Sequence, residues 1–252
     1  MLPILQIGPL AIQTGGLLLL IGFWIGSVVV EKHAARFGIS PSHIFNMVWI
    51  GAAAGIAGAR LGYAIRFSAA FIASPLSLFS PNPDLLDAPS GLMIAGLSTL
   101  LYGRWKRMPL WQTLDALTSF FGVGLVAYHL ANLATGNSFG IPTSLPWSIY
   151  LWGNWRHPVQ LYEALSAVII FLIILPERNA RKPAACPGRR FWIFLALTAS
   201  ARLFFEGFYA NSLLILDRIR LIQIIAWGIL AVSLYQLGKF TPSTSEASKK
   251  EE

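Results

Sequence analysis

Apolar residues fall in seven blocks, at roughly 9–30, 44–66, 91–103, 112–134, 159–176, 190–208 and 219–238, with short polar or Pro/Gly-containing breaks between them. A helix crossing a hydrocarbon core needs about 20 mostly apolar residues. The pattern therefore predicts an all-α integral membrane protein of about seven transmembrane helices. The third block is short for a simple span, and Gly91, Gly96 and Gly103 within it point to close packing on a neighbour or a tilted entry. The first block follows almost no positive charge, unlike a cleaved signal peptide with a basic leading region, so it reads as a retained helix. Residues 1–240 are expected to form a single transmembrane domain. The last stretch, TPSTSEASKKEE at 241–252, is polar and reads as a disordered tail.

Composition agrees: 55% of residues are hydrophobic and 12% charged, and the mean hydropathy is +0.61. The net charge of +8 would fit a nucleic-acid binder, but its distribution has a topological cause. Of the 19 Lys and Arg residues, 13 fall in alternate connections and the C-terminal tail, among them Lys32, Arg36, Arg104, Lys106, Arg107, Arg189, Arg190 and Lys239. By the positive-inside rule these lie in the cytoplasm, which puts the N-terminus outside and the C-terminus inside. The opposite side has Arg156, Arg218 and Arg220 and the two longest irregular connections, the second holding Trp147, Trp152 and Trp155, residues suited to a headgroup layer. No nucleic-acid partner is expected. The single Cys186 can form no intrachain disulfide.

Charged and polar groups inside the apolar blocks are the candidates for chemistry. Arg60, in GARLGYAIRF, costs roughly 2.5–3.5 kcal/mol at a helix centre unless it is paired or wet. A lipid phosphate or a carboxylate would offset that cost, with Tyr63 three residues on sharing its face; both side chains snorkelling to the interface is the alternative. In ARLFFEGFY, Arg202 and Glu206 stand at i and i+4 and can pair, either as a structural device or to present the guanidinium to an anion. RHPVQLYEAL at 156–165 opens a helix at Pro158, with His157 near its N-cap, Gln160 and Glu163 on one face and Tyr162 on a neighbouring one. Such a helix mouth suits an anionic headgroup. Glu163 needs a cationic partner, for which Arg60 and Arg202 are the candidates. In AYHLANLATGNSFG, residues 127–140, His129, Asn132 and Thr135 step by three and form a polar stripe, read as a lipid path or, at His129, as a base.

These segments in this order resemble the bacterial prolipoprotein diacylglyceryl transferase family. The resemblance runs from IGPLAIQTGG through GARLGY, SGLMIAGL, AYHLANLATGNSFG, LPW, RHPVQLYEAL and ARLFFEGF to IRLIQIIAWGI. It implies a multi-pass protein of the bacterial cytoplasmic (inner) membrane that moves the diacylglyceryl group of phosphatidylglycerol, or another anionic phospholipid, onto the lipobox cysteine of a prolipoprotein signal peptide. No cofactor or metal is implied. Arg60, Tyr63, Asn132, Gln160, Tyr162, Glu163, Arg202, Glu206 and Gln223 are then expected to bind substrate, with His129 or His157 as the base.

The sequence also departs from the family pattern. His129 stands where the family motif has Arg, Leu133 where it has Phe, Thr135 where it has Asn and Asn137 where it has Glu. Ala95, Gly96 and Leu97 replace a His-Gly-Gly, and Gln13, Thr14, Gly15 and Gly16 replace a His-Trp-Tyr-Gly. A non-catalytic relative that binds anionic lipid or lipoprotein precursors is therefore a second reading, and a small-solute transporter a third. The absence of evident repeated halves weighs against the third.

Overall fold

The computed structural model describes residues 4–7, 10–80, 82, 85–175, 186–210, 212, 214–215 and 219–240, so the predicted tail at 241–252 lies outside the described residues. Each of the seven apolar blocks contains a helix: α1 (Thr14–Ala34), α2 (Pro41–Arg66), α4 (Ala88–Trp105), α5 (Leu110–Thr135), α6 (Val159–Ile174), α7 (Arg189–Glu206) and α8 (Leu221–Gly238). A short α3 (Ser68–Ala73) follows α2. Among the described helices, four are long and apolar enough to cross a membrane: the one running on from α1 to Phe37, and α2, α5 and α8. α6 is apolar but has only 16 residues, and α7 carries Arg189, Arg190, Arg202 and Glu206 along its 18.

The fold is mostly helical, as expected of an all-α membrane protein, with three short hairpins added at helix starts. Three two-stranded antiparallel hairpins pair β1 (Ile4–Ile7) with β2 (Leu10–Gln13), β3 (Ile149–Leu151) with β4 (Asn154–Arg156), and β5 (Leu214–Ile215) with β6 (Ile219–Arg220). The first corrects the helix expected from residue 9, because Leu10–Gln13 pair with Ile4–Ile7 and helix begins only at Thr14. Likewise β6 takes the start of the last apolar block, so α8 begins at Leu221. The β3–β4 turn is Trp152-Gly153 with both residues at positive φ, 53° and 79°, which matches the twist of a tight hairpin.

The helices pack in the spatial order α4, α2, α1, α5, α6, α7, α8, with α5 also touching α7. Small residues make the close approaches. A Cβ at Gly91 of α4 would stand 2.9 Å from Ala59 Cβ and 3.0 Å from the Gly55 carbonyl of α2, so this crossing needs a residue without a side chain. Gly96 faces open space and has no such role. Long apolar side chains point outward instead, Ile65, Leu92 and Met93 each being at least 75% exposed. That is an aggregation hazard in water and a suitable surface in lipid.

The three hairpins precede α1, α6 and α8, and chain reversal through the bundle gathers them at one end. The same end has the start of α6 and the end of α7, and the end of α5 meets the start of α1, where a Cβ on Gly15 would lie 2.7 Å from the Thr135 methyl. At the other end, Asp115 accepts hydrogen bonds from the Gly188 and Phe191 amides (2.6 and 2.9 Å), closing the first turn of α7 onto α5.

Candidate active site

The start of α6 is fixed by a loop threaded beneath it. Ile141 N–H donates to Phe208 O (2.9 Å), Ala210 N–H to Phe139 O (3.1 Å) and His157 N–H to Ile141 O (3.1 Å), so residues 139–141 lie between the α6 entry and the chain leaving α7. Gly140 is required there, because a Cβ would come within 2.8 Å of both the His157 and Val159 side chains. Pro158 is the N-cap of α6 and Val159 its first helical residue, one position later than the sequence suggested. Arg156 is consumed locally: its Nε and Nη1 donate to Leu151 O and Gly140 O, and its guanidinium covers the Phe139 ring.

From that start the helical period sends Gln160 and Glu163 inward, both buried, and Tyr162 to another face. The Gln160 amide donates to Asn137 O (2.7 Å), and Tyr162 accepts a hydrogen bond from Trp147 Nε1 (2.8 Å). Glu163 is the hub. Its Oε1 accepts from Arg202 Nη1 at 2.8 Å, while its Oε2 accepts from the Tyr209 hydroxyl and lies 3.0 Å from His129 Nδ1.

Arg202 reaches in the other direction to Glu206 Oε2 at 2.7 Å, and its guanidinium sits 4.3 Å from the Tyr209 ring centroid. Arg220, immediately before α8, donates to the Glu206 backbone carbonyl. His129, Glu163 and Glu206 are buried. The two carboxylates and two guanidiniums balance in charge, which is how such groups persist in a low-dielectric site. Glu163 stands four residues into α6 and Arg202 four from the end of α7, so the cluster lies roughly 6 Å below the helix ends.

The cluster opens on a cavity of about 290 Å³ between α5, α6, α7 and α8, lined by Tyr128, His129, Glu163, Thr198, Arg202 and Ile222 among others. Thr198 Oγ1, Gln160 Oε1, Asn132 Nδ2, His157 Nδ1, His129 Nδ1 and both Glu206 carboxylate oxygens are buried without a hydrogen-bond partner among the described residues, although His129 Nδ1 and Glu206 Oε2 lie at ion-pair distance from Glu163 and Arg202. Unpaired polar groups of this kind cost about 1–3 kcal/mol each, and of these Thr198 and His129 line the cavity. Among the described residues no group of three or more His, Cys, Asp or Glu is placed to hold a metal ion.

The structure thus brings together His129, Glu163, Arg202 and Glu206. Of the two cations considered for Glu163, it supplies Arg202. Arg60 instead donates to the carbonyls of Leu85 (3.2 Å), Asn82 (3.3 Å) and Ser80, and Tyr63 packs its ring on Phe67 and Phe71. Those two residues organise the connection between α2 and α4. His157 packs against Phe208 and Tyr162, and Gln223 sits in the first turn of α8, next to the cavity residue Ile222.

Tyr209 and Arg220 were missed, Tyr209 because it lies beyond the helix end at Gly207 and Arg220 because it counted only as a loop charge. Thr198 also escaped notice, although it stands one turn before Arg202 on the same helix. Two positions that depart from the family motif have packing roles. Ala95 fills the space beside Gly55, and Gly15 lets α1 approach Thr135.

A model of the family described as prolipoprotein diacylglyceryl transferase matches residues 3–237. The chain is 27% identical over 245 residues to the phosphatidylglycerol--prolipoprotein diacylglyceryl transferase of Nostoc sp., covering 92% of this chain and 86% of that protein. It is 30% identical over 210 residues to the protein of that name from Geobacter sulfurreducens (81% and 80% covered) and 29% over 220 residues to the one from Rhizobium meliloti (81% and 78%).

Proposed function

Because the chain belongs to the prolipoprotein diacylglyceryl transferase family, we propose that it transfers the diacylglyceryl group of phosphatidylglycerol to the thiol of a prolipoprotein lipobox cysteine. The carbon–sulfur bond forms as the carbon–oxygen bond to the headgroup phosphate breaks. The electron pair leaves on glycerol phosphate, and the thiol proton goes to a base. The observation that carries this reading is buried His129 and Glu163 with partly exposed Arg202 facing one cavity.

His129 is the base. With its Nδ1 turned to Glu163, the lone pair for a thiol falls on Nε2. A free cysteine thiol has a pKa of about 8.5, and a positioned base contributes roughly 10²–10⁴ in rate. Arg202, held between Glu163 and Glu206, offers its remaining N–H groups to the departing phosphate, and Arg220 adds positive charge from the start of α8. Thr198, Asn132, Gln160 and Gln223 supply hydrogen bonds to the headgroup, and Arg60 with Tyr63 shapes the connection at which lipid enters.

The same reading takes all seven helices as spans of the bacterial inner membrane. The short ones cross by tilt and by local thinning of the bilayer. The N-terminus and the hairpin end then face outward, where lipobox cysteines are exposed. Residues 1–240 act as one domain, and no nucleic acid takes part.

The test is incubation of purified protein with phosphatidylglycerol and a lipobox peptide, reading the peptide's mass. Addition of one diacylglyceryl group is expected. An unmodified peptide with phosphatidylglycerol still bound would leave a lipid-binding relative that has lost the chemistry.

A further inference from the structure

Glu163 Oε2 lies 3.0 Å from His129 Nδ1, an ion-pair distance from which a small turn of the ring makes the hydrogen bond that fixes which imidazole nitrogen carries the proton. A carboxylate can do this only while it is held in one orientation. Arg202 alone does not ensure that, because Arg202 binds one oxygen, Oε1, and is itself shared with Glu206. The second oxygen, which faces His129, is held by the Tyr209 hydroxyl. We propose that Tyr209 is a positioning residue of the transfer reaction, holding Glu163 in the rotamer that keeps the His129 Nε2 lone pair free for the thiol.

Three further observations support this role. Tyr209 is itself immobilised: it is buried, its backbone bridges to Gly140, and the residues on either side of it are hydrogen-bonded to Ile141 and Phe139. Its ring face covers the Arg202 guanidinium at 4.3 Å, so one side chain holds Glu163 Oε2 directly and packs on the arginine that holds Oε1. Burial and the adjacent Glu163 carboxylate raise the phenol's pKa above its ordinary value, so the hydroxyl remains a donor at neutral pH. The groups that face His129 are Tyr128 on its own helix, Glu163 from α6, Arg202 with Glu206 from α7, Tyr209, and Arg220 behind Glu206. The titratable residues of α1, Glu31, Lys32 and His33, lie at its opposite end.

The inference rests on the transferase reading, so its test has one arm that needs turnover and one that does not. Tyr209→Phe keeps the ring over Arg202 and removes only the hydroxyl. In detergent micelles, ¹⁵N chemical shifts of the His129 ring, assigned with His129→Asn, report the tautomer without substrate. The wild type is expected to show the Nδ1–H form and Tyr209→Phe a mixture of both. In the transfer assay Tyr209→Phe is expected to lower kcat roughly tenfold with KM within about twofold, as loss of one hydrogen bond to a charged group implies. The same substitution should have no added effect in a Glu163→Gln background, since it acts through that carboxylate. An unchanged tautomer in Tyr209→Phe would overturn the proposal, as would a full tenfold loss persisting in Glu163→Gln. If the wild type releases no glycerol phosphate, the transferase reading fails, and the tautomer arm alone decides the role of Tyr209.

Discussion

Replacing Glu163 by Gln exchanges one carboxylate oxygen for an amide NH₂ and removes the charge that lies between His129 and Arg202. Three bonds respond. Arg202 keeps Glu206, so it remains paired on one side. Tyr209 loses a charged acceptor, and His129 Nδ1 finds an amide that satisfies it best by donating. The proton then moves to Nε2 and the base faces the thiol in the wrong tautomer.

Breaking a buried ion pair costs about 3–5 kcal/mol, and the retained Glu206 contact puts this variant at the low end, near 3 kcal/mol. Loss of the correct tautomer in a carboxylate–histidine pair lowers kcat by up to ~10⁴. Glu163→Gln should therefore stay folded, with a lowered melting temperature by circular dichroism in detergent. Its kcat for diacylglyceryl transfer to a lipobox peptide should fall by roughly 10³–10⁴. A folded variant retaining wild-type kcat would remove the His129–Glu163 pair from the mechanism.

Two other outcomes are expected. Arg202→Lys keeps the charge but cannot bridge Glu163 and Glu206 while also meeting a phosphate, so kcat/KM for phosphatidylglycerol should drop by about 10² in steady-state assays; an unchanged value would place the phosphate elsewhere. Asp87, the N-cap of α4, accepts hydrogen bonds from the Ser90 hydroxyl and amide, which with nearby Arg66 hold its carboxyl below the ordinary carboxylate range. A folded-state pKa below the unfolded one gives stability that is present above the unfolded pKa and is lost as pH falls through the folded one. Proteolysis of the 67–87 connection should accordingly accelerate as pH is lowered below about 4 in the wild type, and Asp87→Asn should flatten that dependence.

The helices were legible because a 20-residue apolar run has few alternatives, and the Glu163–Arg202–Glu206 chain because a charge in such a run needs a partner. The hairpins were not. Four residues such as Leu10–Gln13 are too short for period 2 to be told from period 3.6, and their apolar character merged them with α1. The cluster's remaining members come from beyond helix ends. Tyr209 reaches Glu163 only because Gly140 lets the 139–141 loop pass beneath α6 and bridge to the chain leaving α7, a contact between residues about seventy positions apart. Arg60 illustrates a related point: backbone carbonyls of a long connection can satisfy a half-buried guanidinium as well as a phosphate does, and a sequence does not show where those carbonyls turn.

The most direct measurement is the release of glycerol phosphate from phosphatidylglycerol by the purified protein, comparing a lipobox peptide with the same peptide carrying Ser in place of Cys. Release that depends on the cysteine is the predicted result. Release equal with both peptides, or absent with both while phosphatidylglycerol remains bound, would contradict the account.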